Sequence, residues 1–270
     1  MKKLYFLCPK GTYSELAAKK ISEKLPEYAL TPVSTIAKVV DLVNKSDDIA
    51  VLPVENSIEG IVRQTIDNIY MSNVKIQAEL DIKVEHCIIS KSDNKKNIKY
   101  IISHPQALAQ CQKYILENFD EKIDLINAQS TAAAGESLKD SNESYAAIVS
   151  PSMAQELNYN ILDKNIGNIK ENKTRFVVIS KNNLHLGKDI KTTFVFNTKN
   201  EPGALLKILF IINKYSLNLI YLESRPSREV FGEYNFFCDV DRGSDEIKKA
   251  LAEIEKECNF YKLLGSYTIL

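Results

Sequence analysis

Apolar positions along this chain fall into two alternating periods. Short apolar runs at Leu4–Leu7, Ile49–Pro53, Tyr100–Ser103, Ile123–Ile126 and Ala146–Val149 read as buried strands. Helical spacing follows or flanks them. Ser14–Leu25 places Leu16, Ala17, Ile21 and Leu25 on one face, and Thr35–Asn44 does the same with Ile36, Val39, Val40 and Val43. Gln106–Asn118, Thr131–Lys139 and Pro151–Leu157 carry weaker versions of that stripe. Alternation of this kind predicts a mostly parallel α/β sheet. Between these segments Lys75–Ser90 alternates apolar and polar residues and reads as extended crossover strands joining two lobes.

The polar stretch Asn182–Lys191 reads as a linker, and the order changes after it. A strand at Thr192–Asn197, a helix at Pro202–Tyr215, strands at Leu217–Glu223 and Glu233–Val240, a helix at Ser244–Glu257 and a strand at Tyr261–Ile269 give βαββαβ. That order predicts a ferredoxin-like α+β module. The expected organisation is a two-lobed α/β catalytic or binding domain over 1–182 and a small domain over 183–270.

The 270 residues are 44% hydrophobic and 26% charged, which excludes a disordered tail, a collagen-like chain and a disulfide miniprotein. Lysine plus arginine equals aspartate plus glutamate at 35 each, so the basic excess of a nucleic-acid binder is missing. No apolar run approaches the roughly 18 residues of a membrane helix. Leu4–Cys8 is too short for a signal peptide. Cys8, Cys87, Cys111, Cys238 and Cys258 are widely spaced, with no C-x-x-C, so free thiols in a reducing cytoplasm are expected and a structural zinc site is not.

Six segments carry candidate chemistry, most of them where a strand turns into a helix and free N–H groups meet small anions. Gly11-Thr12-Tyr13-Ser14-Glu15 fits a capping box, either as an ordinary cap or as an anion contact. Pro53-Val54-Glu55-Asn56-Ser57-Ile58-Glu59-Gly60 places carboxylates, an amide and a hydroxyl beyond a strand end, where open α/β sheets hold ligands. Ser103-His104-Pro105-Gln106 offers His104 as a general base or as a cap. Ser130-Thr131-Ala132-Ala133-Ala134 opens a small-residue helix. Asn172-Lys173-Thr174-Arg175-Phe176 contains one of only five arginines, suited to bidentate carboxylate recognition. Glu201-Pro202-Gly203-Ala204-Leu205-Leu206 with Glu223-Ser224-Arg225-Pro226 suits a free amino acid, or else a surface ion pair. Together they imply a two-lobed pocket for a small, anionic, non-phosphorylated ligand.

These motifs, in this order and over nearly the whole chain, resemble prephenate dehydratase, and the tail resembles its ACT regulatory domain. The resemblance implies a periplasmic-binding-protein-like two-lobed catalytic domain followed by a βαββαβ ACT domain. It implies decarboxylating dehydration of prephenate to phenylpyruvate in phenylalanine biosynthesis. Aromatisation drives that reaction, so no metal and no redox cofactor is expected. The chain resembles the monofunctional form, since no chorismate mutase segment precedes the first motif.

By the same resemblance Thr174 lies nearest the chemistry, with Asn56 and Gln106 as polar partners of substrate. Arg175 and Phe176 shape the site, and Thr12, Ser57, Ser103, Ser130, Thr131 and Glu55 are further substrate contacts. A threonine hydroxyl is too weak an acid to act alone, which makes it an oriented donor or relay with Glu55 or His104 as proton source. The family usually has glycine at the position of Cys8, where a positive φ would strain a cysteine. Feedback by L-phenylalanine is implied between ACT domains of partner subunits, with Gly203, Ala204, Leu205, Glu223, Ser224, Arg225 and Pro226 as contacts and a homodimer or homotetramer as the assembly. Arogenate dehydratase is the nearest rival. A non-catalytic aromatic-metabolite sensor is a second rival, opposed by the intact Thr174-Arg175-Phe176. A periplasmic solute-binding protein is a third, opposed by the lack of a signal peptide and by the tail.

Overall fold

The first lobe runs β1 (Lys2–Leu7), α1 (Tyr13–Lys24), β2 (Tyr28–Val33), α2 (Ile36–Asn44), β3 (Ile49–Asn56), β4 (Gly60–Ile61), α3 (Arg63–Tyr70) and β5 (Lys75–Lys83). The chain then builds the second lobe: β6 (Cys87–Ser90), β7 (Tyr100–Ser103), α4 (Pro105–Gln110), α5 (Gln112–Asn118), β8 (Asp124–Asn127), α6 (Thr131–Ser137), β9 (Tyr145–Val149), α7 (Pro151–Leu157) and β10 (Asn160–Lys164). It returns to the first lobe as β11 (Lys173–Ser180). The computed structural model describes residues 2–227 and 233–270.

Each lobe has one sheet, in the orders β5-β11-β3-β1-β2 and β10-β6-β9-β7-β8. β1, β2 and β3 are parallel, as are β7, β8 and β9. The crossing segments interrupt this pattern. β11 lies antiparallel between β3 and β5, and β6 lies antiparallel between β9 and β10. The sheets are therefore mixed rather than simply parallel, because the chain passes between the lobes twice.

Local chemistry explains the helix starts. Thr35 accepts from the Lys38 N–H at 3.3 Å, Ser130 from Ala133 at 3.0 Å and Ser150 from Met153 at 3.2 Å, each satisfying an orphan donor of a first turn. Pro105 and Pro151 sit at first helical positions. The expected helix over 106–118 is two helices, broken at the fully buried Cys111, which packs in the core of the second lobe.

After residue 190 the chain forms β12 (Lys191–Asn197), α8 (Ala204–Lys214), β13 (Leu219–Pro226), β14 (Tyr234–Val240), α9 (Lys248–Glu257) and β15 (Phe260–Ile269). The strands order as β13-β14-β12-β15, and α8 and α9 bury Ile208, Ile211, Ile212, Ala250 and Ile254 against Phe194, Phe196 and Cys238. This module is fused to the first lobe. β15 pairs in parallel with β5, making one ten-stranded sheet. Gly265 permits the join, since a Cβ there would sit 2.4 Å from the Ile76 carbonyl oxygen. The core of the first lobe accordingly includes Val195, Phe237, Leu264 and Tyr267 of the module.

Candidate active site

A cleft of about 580 Å³ lies between the lobes. From the first lobe it takes the turn after β1, the end of β3, the turn into β4 and the start of β11. From the second it takes the starts of α4 and α6. Thr12, Asn56, Gln106, Ser130, Thr131, Thr174 and Phe176 all line it. These expected site residues are brought together by the fold, and so is His104, whose Nδ1 accepts the Gln106 N–H at 3.3 Å as the cap of α4.

The start of α1 departs from a capping box. The Thr12 hydroxyl donates to the Pro9 carbonyl at 3.0 Å, and Glu15 accepts from the Gly11 N–H at 2.5 Å. Among the described residues no side chain caps α1 at Thr12, and the first-turn residues Tyr13 and Ser14 line the cleft, where uncapped N–H groups suit an anion. The left-handed residue of this turn is Gly11 (φ +78°), where a Cβ would meet Met153 of the second lobe at 2.7 Å. Cys8 is not among the positive-φ residues, so the strain anticipated there does not arise.

Asn56 and Thr174 form the centre of the cleft's polar wall. They are register partners on β3 and β11, and Asn56 Nδ2 donates to Thr174 Oγ1 at 2.9 Å. The amide is oriented by its other end, where Oδ1 accepts the backbone N–H groups of Ile58 (3.0 Å) and Glu59 (3.1 Å). Nδ2 also donates to Asn172 Oδ1 at 3.0 Å. The Asn172 amide donates in turn to Gln110 Oε1 at 3.2 Å, and His86 Nε2 lies 3.0 Å from that same oxygen. A hydrogen-bonded chain thus runs from Thr174 across to the second lobe.

Four expected contacts lie elsewhere. Arg175 follows Thr174 on β11, and successive strand residues point to opposite faces. Its guanidinium turns away from the cleft and pairs with Glu55 (3.0 Å), Glu79 (3.1 Å) and Asp239 (2.9 Å). Glu55 is directed to that same far side. The Ser57 hydroxyl donates to Asn172 Oδ1 at 3.1 Å, supporting the wall from behind. Ser103 is fully buried and donates to the Ile148 carbonyl at 2.7 Å, within the second sheet.

Reasoning from sequence passed over Tyr13, Glu59, His86, Gln110, Gln129 and Asn172 as site residues. All but Asn172 line the cleft, and Asn172 supports its wall. Gln110 lies one helical turn past Gln106 and Asn172 two strand residues before Thr174, so each shares a face with a residue already chosen. His86 carries no such signal; it sits in the crossover between β5 and β6. Burial pushes its pKa below the ordinary histidine value, against a weaker upward pull from Gln110, and its Nδ1 has no partner among the described residues. Burial likewise raises the Tyr13 hydroxyl, which bonds the Glu85 carbonyl. The lining contains one carboxylate, Glu59, and no lysine or arginine. An anion in this cleft is met by N–H groups, hydroxyls and amides. No group of three or more His, Cys, Asp or Glu among the described residues is placed to hold a metal ion.

A second cavity, about 520 Å³, lies at the start of α8 and is lined by Gly203, Ala204, Leu205, Tyr234 and Phe236 among others. Glu223, Ser224, Arg225 and Pro226 do not line it. They lie on β13, the end strand of the ten-stranded sheet, with Arg225 paired to Asp67 and Glu223 accepting from the Tyr221 hydroxyl.

Residues 4–184 match the family model for prephenate dehydratase. A prephenate dehydratase of Methanocaldococcus jannaschii is 38% identical over 276 aligned residues, covering 99% of this chain and 98% of that one. A bifunctional chorismate mutase/prephenate dehydratase of Aquifex aeolicus is 39% identical over 269 residues, 98% of this chain and 73% of that one. Among solved structures, a prephenate dehydratase of Arthrobacter aurescens in complex with L-Phe superposes with a TM-score of 0.86. It is 29% identical and covers 98% of this chain and 89% of that one.

Proposed function

The chain belongs to the prephenate dehydratase family, and from that premise we propose how its cleft does the chemistry. The protein converts prephenate to phenylpyruvate, carbon dioxide and water, in the service of phenylalanine synthesis. In that step the bond from the ring to its carboxyl carbon breaks and its electrons enter the ring. The bond from the opposite ring carbon to the hydroxyl breaks, and the hydroxyl leaves as water with one added proton.

The observation that carries the assignment of roles is the direction of the Asn56–Thr174 bond. Backbone N–H groups hold Asn56 Oδ1, so its amide can only donate to Thr174 Oγ1. Thr174 accepts there, and among the described residues nothing takes its own hydrogen. That hydrogen is therefore presented to the departing hydroxyl. Gln106 from α4 and the helix starts at Thr12, Ser130 and Thr131 receive the two carboxylates, with Phe176 as the apolar floor. Arg175 supports the strand from behind rather than binding substrate.

The division at about residue 182 assigns catalysis to the two lobes and regulation to an ACT-type module. L-phenylalanine binds that module and lowers activity. Gly203, Ala204 and Leu205 offer one side of its site, and the β13 residues Glu223 to Pro226 of a second copy supply the other, in a homodimer or homotetramer. Exposed Ile220 and Leu222 on this sheet-edge strand favour such a partner. The five unpaired cysteines suit a cytoplasmic enzyme.

The test is phenylpyruvate formation by purified protein from prephenate, with arogenate as a parallel substrate and with L-phenylalanine added. Turnover of prephenate that falls with phenylalanine supports the whole reading. Turnover of arogenate alone reassigns the substrate. Turnover indifferent to phenylalanine removes the regulatory part.

A further inference from the structure

We propose that Asp239 is the residue through which the C-terminal module acts on the catalytic strand. This rests on the reading that phenylalanine controls the enzyme from that module.

Two cross-strand pairs sit back to back in the first sheet. Asn56 and Thr174 face the cleft, and Glu55 and Arg175, one residue along each strand, pair on the opposite face at 3.0 Å. Any movement of the Arg175 backbone is a movement of Thr174. The Arg175 guanidinium is also held by two buried carboxylates. Glu79 belongs to β5 of the first lobe, whereas Asp239 belongs to β14 of the module.

The rest of the module reinforces that contact. Lys191 on β12 reaches Glu79 at 2.8 Å and Asp239 at 3.4 Å. Thr193 donates to Asp239 Oδ1 at 2.7 Å and also bonds Tyr267 at 2.8 Å. The side chains of Glu79, Asp239 and Lys191 are 7%, 4% and 5% exposed. Arg175 and Lys191 share three carboxylates, of which Glu79 and Asp239 are buried and Glu55 is partly exposed, so withdrawing Asp239 takes a buried partner from both cations at once. Arg175 must follow Asp239 or lose a partner that solvent cannot replace.

The same strand reaches the proposed phenylalanine site. Tyr234 and Phe236 of β14 wall the cavity beside α8, and Asp239 lies three to five residues further on, roughly 10–16 Å along the strand. A ligand that shifts β14 therefore shifts Asp239, then Arg175 and Thr174.

The experiment compares the full-length enzyme with Asp239→Asn and Thr193→Val. Prephenate turnover is followed across phenylalanine concentrations, and phenylalanine binding is measured separately by calorimetry. Coupling between two sites typically changes affinity by roughly 5- to 150-fold. The expected result is that Asp239→Asn binds phenylalanine within about threefold of wild type while inhibition shrinks to less than about twofold. Thr193→Val keeps the charges but loosens Asp239, and its inhibition falls in between; where Asp239→Asn fails to fold, Thr193→Val decides alone. Variants that bind phenylalanine and are inhibited like wild type overturn the inference. A wild-type enzyme that binds no phenylalanine overturns the regulatory reading and the inference with it, before any variant is compared.

Discussion

Asn56 and Thr174 stand opposite one another on antiparallel strands, and the 2.9 Å bond between them runs in one direction only. The amide gives and the hydroxyl receives, because the amide oxygen is already committed to two backbone N–H groups. An Asp at position 56 keeps the shape and those two acceptor contacts but cannot donate. The Thr174 proton would then turn towards the carboxylate and away from substrate. Asn56→Asp is expected to lower kcat by about 100-fold or more with KM within a few-fold of wild type. Thr174→Val should lose a similar factor, in the roughly 100- to 10,000-fold range of a lost proton donor. Thr174→Ser, which retains the hydroxyl, should keep most of the rate. Steady-state kinetics on the three variants checks the set, and a pure KM effect would reassign both residues to binding.

Cys8 lines the cleft and is the exposed member of the five thiols, while Cys87, Cys111 and Cys238 are buried. Its alkylation would place a group where substrate enters. Brief treatment with iodoacetamide is expected to give one dominant adduct at Cys8, seen by mass spectrometry, with loss of turnover. Prephenate or phenylpyruvate should slow the labelling. Cys8→Ala should keep its activity through the same treatment; inactivation of that variant would place the sensitive thiol elsewhere.

Much of the architecture was legible because periodicity reports which faces are buried. Most helices of the two lobes, several of their strands and the βαββαβ tail follow from it, whereas β2, β4, α3, β10 and β11 were not read, and β8, read as buried, is exposed along its length. What periodicity does not report is partnership. β15 reads as a strand, but its pairing with β5, some 190 residues earlier, has no local trace. The site shows the same division. Thr174 and Asn56 were reached through their motifs, and Gln110 was available as the next turn after Gln106. Arg175 was assigned to substrate because arginine is scarce here, yet a strand cannot turn two successive side chains into one cleft. His86 had no sequence signal, since its role depends on where the crossover between lobes places it.

Gly265 tests the join between the module and the first lobe. An alanine Cβ there would meet the Ile76 carbonyl oxygen at 2.4 Å and Ile76 N at 3.0 Å, both backbone atoms that cannot rotate aside. Strands β15 and β5 would have to separate. Gly265→Ala is expected to cost about 1–3 kcal/mol, the usual range for an overpacked core, read as a lower midpoint in urea. An unchanged midpoint would mean that this strand pair contributes little to holding the module in place.

His86 sets a pH window for stability. Its ring is buried and its Nδ1 has no partner among the described residues, so burial holds its native pKa below the unfolded value of about 6.5. As pH falls, the unfolded chain takes up the proton first and is favoured. Stability from a neutral His86 is therefore complete above pH ~6.5 and is lost as pH falls towards the native pKa. One proton contributes at most about 1.4 kcal/mol per pH unit. The carboxylates with depressed pKa, Glu15, Asp48, Asp163 and Glu253, act lower, as pH falls below ~4, because that is where they titrate when unfolded. The interval from pH 6.5 to 5 thus lies above the range of those carboxylates. His86→Gln supplies an uncharged donor to Gln110 Oε1 and does not titrate, so its unfolding free energy should fall less steeply across that interval than that of wild type. Urea unfolding at four pH values measures both slopes. Equal slopes would mean that His86 is solvated enough to charge in the native state, and its link to Gln110 would then have to survive as an imidazolium.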